Sequence, residues 1–178
     1  MLYLCAMIFI KRWFVWLSRI RHCKGFGIQS PTDYAFVRYV VNEHWPYYAY
    51  DNLRGNDSLD TKLGKLYFRL SNWRQPHIML YDRWNEWWKA GCRSIRFTDE
   101  IDRVELLRID VEDIDVWQRM MTLCDEQSVV VVENIYRNSE KWSDISECPR
   151  VWTTFDLYYC GIVLFDKRRY KKHYIINF

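Results

Sequence analysis

Apolar positions follow a helical period in the first part of the chain and short runs separated by polar turns in the second. Leu4, Ile8, Phe14 and Leu17 share one face of residues 3–20, with Lys11, Arg12, Arg19 and Arg21 on other faces, which predicts a helix. HCKGFGIQSP breaks it at Gly25, Gly27 and Pro31. Ser30 followed by Pro31 is a helix start, an N-cap with proline in the first position, and predicts a helix from Pro31 to Glu43. A polar loop follows from Pro46 to Asp60, and KLGKLYFRLSNWRQ reads as a helix ending before Pro76.

From there strands and helices alternate. Strands are predicted at His77 to Tyr81, Ser94 to Phe97, Val104 to Ile109, Val129 to Val132, Val151 to Leu157 and Gly161 to Phe165. Helices are predicted at Trp84 to Ala90, Asp113 to Cys124 and Asn138 to Glu147. Alternation of this kind predicts an α/β fold with a mostly parallel sheet and helices on both faces. The short Tyr158 to Cys160 connection suits a closing antiparallel pair.

Composition narrows the class. The 178 residues are 49% hydrophobic and 18% aromatic, with ten Trp and thirteen Tyr, the make-up of a packed domain rather than a disordered chain. Net charge is only +3, but residues 1–50 hold six Lys/Arg against two Asp/Glu, so the N-terminal face is basic. The cysteines at 5, 23, 92, 124, 148 and 160 form no C-x-x-C pair, which reads as free thiols in a reducing cytoplasm. MLYLCAMIFI is apolar for ten residues, about half the ~20 needed to cross a bilayer, and lacks the features of a secretory signal.

Two blocks carry a family resemblance. The first is GFGIQSPTDYAFVRYVVNEHWPYYAYDNLR with KLGKLYFRLSNWRQPHIML; the second is Ser128 to Phe178, opening on SVVVVENIY and closing on CGIVLFDKRRYKKHYIINF. Together they resemble a small class I S-adenosylmethionine-dependent methyltransferase of the kind found in Bacteroidetes. The resemblance implies a Rossmann-like methyltransferase fold with extra N-terminal helices, an antiparallel C-terminal strand and a sheet shortened in its middle. Residues 1–60 would form a helical extension packed on a truncated α/β domain spanning 61–178, the whole making one compact unit.

The family's cofactor loop is missing. Its members follow the first strand with an acidic residue and a Gly-x-Gly-like turn, because only glycine lets backbone approach the cofactor closely. Here HIMLYDRWNEWWKAGCR runs from Asp82 into Arg83, Trp84, Trp87 and Trp88 with no glycine before Gly91. The reading that follows is a non-catalytic methyltransferase-like protein without a cofactor, working as a scaffold through self-association or a protein partner. The alternative is a divergent O-methyltransferase using S-adenosylmethionine and a divalent cation. In it Asp99, where the family places an acid on the cofactor ribose, keeps that role, and Asp110, Glu133 and Asn134 surround the metal.

Other constellations are weaker. The histidines at 22, 44, 77 and 173 form no ligand pair, and Gly-x-Ser-x-Gly is absent. DKRRYKKHY mixes cations with Tyr170 and Tyr174 as a nucleic-acid surface does, but the same string matches the family's final turn and strand. A nucleic acid and a membrane surface are therefore the lesser partner readings. Trp73, Trp84, Trp87, Trp88 and Trp117 read as core, with a partner-binding anchor as the other option.

Overall fold

Val129 to Val132 explain the architecture. In a strand successive side chains point to opposite faces, so four valines in a row require cover on both. In the computed structural model, which describes residue 10 and residues 12–178, Val129 and Val131 join one apolar cluster while Val130 and Val132 join another. The first cluster holds Leu66, Tyr67 and Leu70 with Trp84 and Trp88; the second holds Trp117, Met120, Trp142 and Ile145.

Helices fill both faces. Residues 12–18 form α1; the part of the expected 3–20 helix that precedes residue 10 lies outside the described residues. Next come α2 (Pro31–Phe36), α3 (Ala49–Asn52), α4 (Ser58–Arg74), α5 (Asn85–Gly91), α6 (Ile114–Leu123) and α7 (Ser139–Glu147). The Ser30 hydroxyl accepts from the Asp33 N–H, as the Ser-Pro signal predicted. Helix α2 passes into a wider π turn at Val37–Val41, and the helical segment ends there, two residues short of expectation.

The strands are β1 (Ile78–Leu80), β2 (Arg96–Thr98), β3 (Val104–Asp110), β4 (Cys124–Glu133), β5 (Thr153–Asp156), β6 (Cys160–Leu164) and β7 (Lys172–Ile175). β1 and β2 make a two-stranded parallel sheet; the other five run in the order β3-β4-β6-β5-β7. β6 is antiparallel to both neighbours while β3, β4, β5 and β7 share one direction, so the sheet is mixed, with the parallel majority that was expected; its one antiparallel strand lies inside, between β4 and β5. β7, parallel to β5, is absent from the strands that spacing predicts, although the resemblance implies a final strand here. Its KHYI pattern leaves Lys172, His173 and Ile175 exposed, and a charged edge strand of this kind has no hydrophobic alternation to betray it.

Candidate functional site

In open α/β sheets ligands bind beyond the carboxyl ends of the strands, where the strand order reverses. Here that place is definable. β1 has β2 as partner on one side and β3 beside it on the other, so the strand order reverses between β1 and β3. The Glu105 carboxylate at the start of β3 accepts from the backbone N–H of His77, just before β1, while Arg108 near the end of β3 donates to Asp82, just after β1. β1 and β3 therefore run in the same direction, and their carboxyl ends share one edge.

That edge is filled by the protein's own side chains. Glu133, which ends β4, is 3% exposed; its Oε1 accepts from the Tyr67 hydroxyl at 2.5 Å and from the Trp84 indole Nε1 at 2.7 Å. Its Oε2 accepts from Arg108 Nη1 at 2.9 Å and Arg83 Nη2 at 3.4 Å. Arg108 Nε also meets Asp82 Oδ2 at 3.2 Å, and the Trp88 indole donates to the Asp82 carboxylate at 3.1 Å. Tyr67 stacks on Trp88 with ring centroids 4.6 Å apart and meets Trp84 edge to face at 5.0 Å. The Arg83 guanidinium covers the Trp84 ring at 4.5 Å.

The electrostatics are those of a closed network. Burial pushes the Tyr67 hydroxyl well above its ordinary range, and Cys160 and Glu133 push it the same way, so it stays a neutral donor. Burial likewise raises Asp82, against the opposing hydrogen bonds from the Trp84 backbone, Trp88 and Arg108. Burial works against the charge of Arg108, but Glu133 and Asp82 outweigh it and hold the guanidinium more firmly protonated. The Glu133 and Asp82 carboxylates thus share the largely buried Arg108 guanidinium, and the half-exposed Arg83 reaches both Glu133 and Asp60 from the solvent side.

Local sequence explains the placement. Gly64, in the middle of α4, faces Trp87, where an added Cβ would lie 2.3 Å from the indole ring; only glycine lets α5 approach this closely. Trp84 and Trp88 stand one helical turn apart and turn together toward Tyr67, whereas Trp87 turns toward Gly64 and Tyr50. Trp84, Trp87, Trp88 and Trp117 are core, as expected; Trp73 is 42% exposed and meets Phe36 at the rim.

Of the residues expected at a site, Asp110, Glu133 and Asn134 are neighbours at the ends of β3 and β4, but their side chains are tied to different partners. Asp110 Oδ2 accepts from Asn134 Nδ2 at 2.5 Å, and Asn134 sits in the left-handed region at φ 59. Glu133 is engaged instead by the four donors above. Asp99 is exposed on the bend after β2. Among the described residues no three His, Cys, Asp or Glu side chains gather as metal ligands. Tyr67 and Arg108 were missed by sequence reasoning: both sit within apolar runs that read as core, and only the glycine inside KLGKL signalled a close approach.

The Lys-rich C-terminal string is partly structural. Arg169 turns inward onto the fully buried Asp33, which also accepts from Tyr174 at 3.1 Å. Two cavities lie away from the filled edge: one of about 710 Å³ between the N-terminal segments and α4, and one of about 390 Å³ near Trp73 and Gln127. Neither is lined by Tyr67, Asp82, Trp84, Arg108 or Glu133. No helix among the described residues is long and apolar enough to cross a membrane. No protein-family model, curated protein or solved structure is significantly similar to the chain.

Proposed function

We propose that this chain is a non-catalytic methyltransferase-like protein, Rossmann-like in layout, that has lost S-adenosylmethionine binding and acts as a scaffold through association with itself or another protein. One observation carries the reading: Trp84 and Trp88, fastened to Glu133 and Asp82, occupy the strand-end edge where a nucleoside cofactor would have to sit. A cofactor entering there would displace two buried indoles and strip buried carboxylates of their donors, at a cost of several kcal/mol. The competing O-methyltransferase reading, with Asp99 on the ribose and Asp110, Glu133 and Asn134 on a cation, needs open space at this same edge.

Calorimetric titration with S-adenosylmethionine and S-adenosylhomocysteine, paired with crystals soaked in each, tests the reading. The expected result is an unchanged strand-end edge and no ligand there. An ordered nucleoside between the ends of β1 and β3 would end the proposal. Light scattering of the purified chain separates self-association from a role that needs another protein.

A further inference from the structure

The 710 Å³ groove lies against a different face of α4 from the one that carries Tyr67, and its size is that of a small-molecule site. Thr61, Lys62, Lys65 and Arg69 recur along it at helical spacing, so three cations form one stripe. No carboxylate oxygen of a described residue stands within 4.0 Å of their charged nitrogens. Lys62 lies over the Phe178 ring at 4.5 Å and Lys65 over the Tyr50 ring at 5.0 Å, so aromatic faces take the place of counter-ions.

Arg69 is buried at 6% exposure and spends Nε and Nη2 on the carbonyl oxygens of Val40 and Val41. A buried guanidinium without a carboxylate is costly unless an anion arrives. Beside it Asn42, 9% exposed, lines the groove, and its buried amide Nδ2 has no hydrogen-bond partner. Surrounding protein atoms first, then the guanidinium groups of Arg12 and Arg69, lower the Lys62 ammonium below its ordinary range. The groove's acids form no ion pair with the stripe: Glu43, which acts with Arg69 on Tyr47 and Tyr50, accepts from the Tyr47 hydroxyl at 2.8 Å, and Asp51 is exposed at the rim.

We propose that this groove binds a small organic phosphate carrying a planar ring, of which a nucleoside monophosphate is the simplest representative. A phosphate supplies several acceptor oxygens for a stripe that presents donors only. The indoles of Trp45 and Trp16, 72% and 46% exposed on the groove wall, supply flat faces for the ring.

Calorimetric titration of the full chain with adenosine monophosphate, inorganic phosphate and adenosine decides it. Adenosine monophosphate should bind with Kd below about 1 mM, and the other two at least about tenfold more weakly. The double substitution Lys62→Glu and Lys65→Glu should weaken it by about tenfold or more. Should charge reversal unfold the chain, Trp45→Ala carries the test, with an expected loss of about fivefold or more. Absent saturation, equal binding of adenosine or of bare phosphate, or undiminished affinity in the folded variant would each overturn the proposal.

Discussion

The indole nitrogen of Trp84 and the carboxylate of Glu133 meet at 2.7 Å although the two residues stand 49 positions apart in sequence. This contact joins the start of α5 to the end of β4 and closes the edge of the sheet. Removing the carboxylate in Glu133→Ala leaves Arg108 buried beside Tyr67 and Trp84 donors without an acceptor, and should cost about 3–5 kcal/mol. Glu133→Gln keeps an accepting oxygen but loses the charge, and should cost about 1–3 kcal/mol. Urea unfolding measures both; a Glu133→Ala protein as stable as the parent would refute the network's importance.

Gly64→Ala pits helix propensity against space. Alanine gains about 1 kcal/mol over glycine inside a helix. Its methyl would meet Trp87 at 2.3 Å, however, and overpacking of this sort costs about 1–3 kcal/mol. A net loss in thermal unfolding is expected, and a higher melting temperature would show that α5 is not seated as described.

Asp33 and Arg169 tie the N-terminal helix α2 to the approach of β7. With Asp33 fully buried, Asp33→Ala strands a guanidinium and should cost about 3–5 kcal/mol, while Arg169→Met added to it should recover part of the loss. A double-mutant cycle is expected to give a coupling of about 1–3 kcal/mol. Strict additivity would mean the pair contributes nothing together.

Alkali should destabilise the fold through Tyr47 and Tyr174. Burial first, then Glu43 for Tyr47 and Asp33 for Tyr174, pushes each hydroxyl up to about 12 from 10.0. The folded chain therefore keeps protons that the unfolded chain releases, so this stability is whole below pH 10 and is lost as pH rises through 12. Phenylalanine at both positions should flatten the stability profile across that window, followed by denaturant midpoints alongside tyrosinate absorbance. A profile equally steep in the double variant would assign the effect elsewhere.

Much of the fold is written locally. The alternation of helices and strands, the Ser30-Pro31 helix start, the fully buried run at Val129 to Val132 and the tryptophan core of α5 follow from spacing, because periodicity records which faces are covered. So does the absence of a glycine between Asp82 and Gly91, which places bulky side chains after β1.

Only the tertiary structure decided what those side chains do. Strand-end acids look alike in sequence, yet Asp110 pairs with Asn134 while Glu133 takes four donors drawn from α4, the segment after β1, and β3. The cationic stripe of α4 reads as a solvated helix face until the N-terminal segments are laid across it. Hydrophobic spacing is a property of neighbours along the chain, whereas the sharing of protons and charges depends on distances between residues that the sequence keeps far apart.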